Sequence, residues 1–108
     1  MRRFISLAVI CPAIATAGPI SKFDAKPPTG RYETHQTLEQ VERCLIDIPN
    51  YGPPNVYRQP DRPDAETLIW SSGAGVSVGR VDVARTSAGA RITSWFDEKQ
   101  VSACALRQ

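Results

Sequence analysis

The chain has 108 residues, with 13 Lys and Arg against 11 Asp and Glu and 42% hydrophobic residues. That length suits one small folded domain and is too short for two. Two of the basic residues, Arg2 and Arg3, stand in an N-terminal leader; without them the charges balance, which removes the cationic excess that nucleic-acid binding needs.

The leader has a positive start at Arg2-Arg3, a nearly all-apolar stretch at residues 4–10, and the small residues Ala15-Thr16-Ala17. These are the parts of a secretory signal peptide, so residues 1–17 are expected to direct export to a periplasm or the exterior, with cleavage near Ala17. The apolar run is shorter than the roughly 20 residues that span a bilayer as a helix, and stable membrane insertion is not expected. Acylation at Cys11 is disfavoured by Ile10, because a lipobox needs a small residue immediately before the cysteine. A twin-arginine address lacks its polar lead-in.

Residues 18–33 carry Pro19, Pro27, Pro28, Gly18 and Gly30 with few apolar side chains, and read as a flexible arm ahead of a single small α+β domain at residues 34–108. Helix signals begin at Thr37, whose hydroxyl can cap, with Gln40 three residues on to complete a capping box. Leu38, Val41, Leu45 and Ile48 recur at helical spacing, and Cys44 lies on that face; Pro49 ends the element.

Residues 50–64 hold Pro53, Pro54, Pro60 and Pro63 and read as loop, with residues 56–59 at most a short edge strand. The periodicity then changes to two. Leu68 and Trp70 share a face, and a three-residue loop at Ser72-Gly73-Ala74 pairs Trp70 with Val76 and Leu68 with Val78. Val81 and Val83 are out of step with Val76 and Val78, which predicts a β-bulge at Gly79-Arg80. After a turn at residues 86–89, Ile92 and Phe96 face one way, and Arg91, Thr93 and Trp95 the other. Two registers stay open: one sets Arg80 opposite Trp95, the other Asp82.

Asp97 can cap a closing helix, with Gln100 three residues later and Val101, Cys104 and Ala105 on one side. Once the leader with Cys11 is removed, Cys44 and Cys104 remain as an even pair in an oxidising compartment, which predicts a disulfide. Buried thiols or metal ligation are the alternatives, and the single histidine, His35, is too little for a closed zinc site. The expected fold is α+β and two-layered. An N-terminal helix packs on three or four antiparallel strands, and a short C-terminal helix is tied in by the disulfide.

The order of a capped helix "TLEQVERCL", a proline soon after and an antiparallel sheet resembles the small helix-plus-sheet lipoproteins that assist outer-membrane assembly and the related β-lactamase-inhibitor-like folds. The resemblance covers Thr37 to about Trp70 and implies a fold only. The lipobox is missing here, and a cysteine pair is present.

No motif announces a reaction. "GAGVSVG", residues 73–79, has neither dinucleotide-fingerprint nor P-loop spacing and opens a strand, where those motifs open a helix. Asp61, Asp64 and Glu66 lack the intervals of the known calcium loop. His35 stands in the polar run "ETHQT", and Ser71 and Ser94 have no nucleophile-elbow context. No cofactor is expected. The interaction candidates are Trp95, Arg91, Thr93 and Arg80, because aromatic and arginine side chains anchor interfaces, unless the arm or the last helix covers Trp95. The expected function is therefore an exported, non-enzymatic domain that binds another envelope or secreted protein. The alternative is a small hydrolase or metal-dependent enzyme using His35 or the Asp61, Asp64 and Glu66 group.

Overall fold

The computed structural model describes residues 18–106, so the predicted leader, residues 1–17, lies outside the described residues. Five strands form one antiparallel sheet: β1 (Gly30–Thr34), β2 (Asn55–Tyr57), β3 (Ala65–Ser71), β4 (Ser77–Arg85) and β5 (Ala90–Trp95), in the order β1-β5-β4-β3-β2. Two helices, α1 (Leu38–Ile46) and α2 (Glu98–Leu106), complete the α+β arrangement.

α1 starts where its cap dictates. Thr37 Oγ1 accepts from Gln40 N at 3.1 Å, and Thr37 N donates to Gln40 Oε1 at 2.8 Å, so two otherwise unpaired donors are satisfied reciprocally. Its stripe Leu38, Val41 and Leu45 is buried, followed by Ile48 beyond the helix end. Asp97 Oδ1 accepts from Gln100 N at 3.2 Å at the start of α2, which buries Val101, Cys104 and Ala105.

Both helices cover the same side of the sheet. α1 packs over β4, α2 over β1 and β5, and the two helices touch. The expectation gave the covering role to the first helix alone; α2 shares it because its buried side chains join the same core as Leu68, Trp70, Val81, Val83, Ile92 and Phe96. The disulfide between Cys44 and Cys104 links α1 to α2 across 60 residues. In the chain-entropy account a loop of that length restricts the unfolded state by roughly 4 kcal/mol.

The strand count exceeds the expected three or four because most of β1, residues 30–33, falls in the stretch read as an arm. Its inward-facing apolar residue is the half-buried Tyr32, set between exposed Arg31 and Glu33, too weak a pattern to register as a strand. It pairs with β5 through Tyr32 and Ile92. β2 is the other edge, with Val56 opposite Leu68.

The β3–β4 hairpin departs from the expected pairing. Trp70 stands opposite Gly79 and Leu68 opposite Val81, and the ladder shifts between Trp70 and Ser71, where Ser71 meets Ser77. The extra residue is therefore Val78, just ahead of the expected bulge at Gly79-Arg80. Val76 belongs to the turn, held by Ser72 N donating to Val76 O at 2.8 Å. The cause is volume. Phe96 stacks on Trp70, with ring centroids 4.1 Å apart and planes at 11°, and fills the space over Gly79 that a Cβ would occupy. A valine cannot sit there, so Val76 and Val78 turn outward. Further along, Val83 pairs with Ile92 and Arg80 with Trp95, which decides between the two registers left open.

Candidate functional site

The face of the sheet away from the helices carries the four predicted interaction residues. Arg80 and Trp95 are cross-strand partners, and the guanidinium lies 4.9 Å from the indole centroid, a cation–π contact. The remaining capacity of Arg80 is spent on neighbours. It donates to Asp82 Oδ1 and Oδ2 at 2.9 and 2.7 Å, to Asp24 Oδ1 at 2.7 Å and to Ile20 O at 2.9 Å. The paired Asp82 carboxylate raises the Arg80 pKa further.

Trp95 is likewise engaged, its indole N–H donating to Lys26 O at 2.9 Å. Residues 18–29 thus lie across this part of the sheet. Phe23 is buried within that segment, and Lys22 Nζ donates to Ser77 O at 2.7 Å. Thr93 pairs with Asp82 on one side and Arg31 on the other, and Arg91 holds Glu33 at 2.8 Å in an exposed ion pair. Trp95 and Arg80 therefore form a clasp for the N-terminal segment, while Arg91 stays at the surface.

Beside Trp95 the surface opens into a shallow cleft of about 370 Å³ lined by Thr29, Tyr51, Val78, Trp95, Phe96 and Asp97. Tyr51 packs edge-on against Phe96 at 4.7 Å and donates its hydroxyl to Asp97 Oδ2 at 3.1 Å, a bond that raises the phenol pKa. Val76 and Val78 are 53% and 49% exposed. Sequence reasoning missed Tyr51 and Val78 as surface features. The one available signal was the odd step between Val76-Val78 and Val81-Val83, which means that one pair of valines has to face outward.

A larger groove of about 810 Å³ runs between the helices, with His35, Gln40, Arg43 and Gln100 among its lining and both disulfide cysteines in its wall. His35 Nδ1 lies 3.4 Å from Ala88 O. None of Ser71, Ser94, Asp61, Asp64 and Glu66 lines this groove, so the only histidine is not brought beside the nucleophiles or carboxylates considered for it.

Asp61, Asp64 and Glu66 also part company. Asp64 is exposed and lies 3.4 Å from Arg85 Nε, and Asp61 is exposed. Glu66 is 4% exposed and faces α1. There it approaches Glu42, and Arg58 pairs with both carboxylates, at 3.3 Å to Glu66 Oε2. Burial first, and then the neighbouring Glu42 carboxyl, push the Glu66 pKa up to about 8, against the opposing pull of Arg58. Glu66 therefore retains its proton at neutral pH. Among the described residues no group of three or more His, Cys, Asp and Glu could hold a metal ion, and no helix is long and apolar enough to cross a membrane.

Compared with family models, curated proteins and solved structures, this chain has no match in any of the three.

Proposed function

We propose that the chain is an exported, non-enzymatic binding domain, periplasmic or secreted, whose cleft beside Trp95 receives an apolar side chain of another envelope or secreted protein. The observation that carries this reading is the outward turn of Val78 into a cleft it shares with exposed Tyr51 and the rings of Trp95 and Phe96. Apolar side chains gathered at a surface concavity, with a polar rim, have the composition of an interface anchor point. The Asp97 carboxylate at the rim favours a protein over an anionic lipid surface. Export is supported by the leader pattern and by the disulfide, which persists in an oxidising compartment.

The enzyme alternative requires His35, or Asp61, Asp64 and Glu66, to act together. Their separate positions give it no support.

A photo-crosslinking residue placed at position 78, and separately at position 62, tests the reading in an envelope extract. The expected result is one protein adduct specific to position 78. Once that protein is purified, Val78→Asp weakens its binding at least tenfold and His35→Ala leaves it unchanged. Equal labelling from both positions, or binding lost in His35→Ala and kept in Val78→Asp, overturns the proposal.

A further inference from the structure

We propose that the chain forms a two-fold dimer in which β1 pairs antiparallel with β1 of a second copy about Tyr32, joining the two sheets edge to edge.

The two edges of the sheet differ. β2 has three residues and is flanked by Pro53, Pro54 and Pro60, which lack the N–H needed to extend a ladder and so protect that edge. β1 has five residues, none of them proline, its pairing with β5 is regular, and among the described residues no strand pairs with its other side. Such an edge is a template for another strand unless its side chains forbid it.

Among the registers that pair the whole of β1, its side chains favour one. Arg31 and Glu33 share the outer face, and Tyr32 points to the helix side. Glu33 is engaged by Arg91 at 2.8 Å, whereas Arg31 makes no ion pair with any described residue. Antiparallel pairing centred on Tyr32 sets each Arg31 opposite Glu33 of the other copy, twice over by symmetry. A shift of two residues either way sets Arg31 against Arg31 or Glu33 against Glu33, which is repulsive. A shift of one residue turns Tyr32 to the outer face. Parallel pairing in register aligns like with like.

In the favoured register the charges run Arg91, Glu33, Arg31 across the join and back in the opposite order, so each carboxylate lies between two guanidiniums. The two-fold axis is perpendicular to the sheet, which keeps both helix layers on one side and sets the two Tyr32 residues opposite each other. An edge this short makes the dimer concentration-dependent.

Sedimentation equilibrium on the purified oxidised protein tests the pairing. Wild type is expected to pass reversibly from monomer to dimer as concentration rises, with slowed amide exchange confined to residues 30–34. Arg31→Glu and Glu33→Arg each place like charges across the join and weaken dimerisation at least tenfold. Both side chains are exposed, so each variant keeps the wild-type circular dichroism. An equimolar mixture of the two variants restores association as a mixed pair, because the first variant is acidic at both positions, the second is basic at both, and opposite charges face each other again. A wild type that stays monomeric at millimolar concentration, variants that associate as wild type does, or a mixture that associates no better than its components overturns the proposal. None of these outcomes bears on the cleft, which neither position lines.

Discussion

Phe96 lies flat against Trp70, with ring centroids 4.1 Å apart, and its ring occupies the space where a side chain at Gly79 would begin. The pair couples the end of β5 to the β3–β4 hairpin and decides which valines face the core. Gly79→Ala is therefore expected to destabilise the protein by about 2–3 kcal/mol through overpacking. The cost should shrink in the Phe96→Leu background, because the two changes share one space and are not additive. Urea unfolding of the four proteins in this cycle measures the coupling; strict additivity contradicts the packing account.

Glu66 makes stability depend on pH in an unusual direction. Its pKa is raised to about 8 in the folded state against an ordinary 4.5, so between these values the folded chain holds a proton that the unfolded chain has released. By linkage, this group's contribution is fully present below about pH 4.5 and is lost as pH rises through 8. Glu66→Gln, which mimics the protonated form, should match wild type at about pH 5 and exceed it in urea midpoint at about pH 9. A difference that stays constant or reverses with pH is inconsistent with a retained proton.

At the acid end a different pair matters. Arg85 holds Glu39 through hydrogen bonds, lowering its pKa to about 2. A lowered carboxylate pKa contributes stability above 4.5 that disappears as pH falls toward 2. The pair is exposed and therefore weak. Arg85→Gln is expected to flatten the acid limb of the urea midpoint between pH 4.5 and 2 while leaving the alkaline limb to Glu66; an unchanged acid limb counts against the pair.

Reduction of the bond between Cys44 and Cys104 removes the link between the two helices. The loss is expected to be roughly 4 kcal/mol, the chain-entropy value for a loop of this length, and Cys44→Ala with Cys104→Ala should reproduce it without reductant. Denaturant midpoints with and without dithiothreitol give the answer. A shift below about 1 kcal/mol would mean that the helices hold their places without the link.

Phe23 is 4% exposed although it belongs to a segment with few apolar residues. Phe23→Ala is expected to lower stability by about 3 kcal/mol and to loosen the hydrogen bond from the Trp95 indole to Lys26 O, making that indole accessible. Iodide quenching, with buried Trp70 as the internal reference, reports the change. Quenching identical to wild type indicates that residues 18–29 stay in place without their aromatic anchor.

The elements whose signals are local were legible in the sequence. The capping box at Thr37 and Gln40, the stripe of α1, the alternation in β3 and β5, and the pairing of Cys44 with Cys104 each depend on near neighbours or on simple cysteine arithmetic. What tertiary structure decided is where distant pieces compete for one volume or one partner. β1 needs only Tyr32 for its inward face and borrows its stability from β5, so its pattern is faint. Val76 and Val78 turn outward because Phe96, far along the chain, claims the space over Gly79. Trp95 and Arg80 spend their binding groups on residues 20–26, and Glu66 keeps its proton because the packed core buries it and α1 brings Glu42 against it. Burial, and the choice among partners, are properties of the assembled chain, and no window of neighbouring residues contains them.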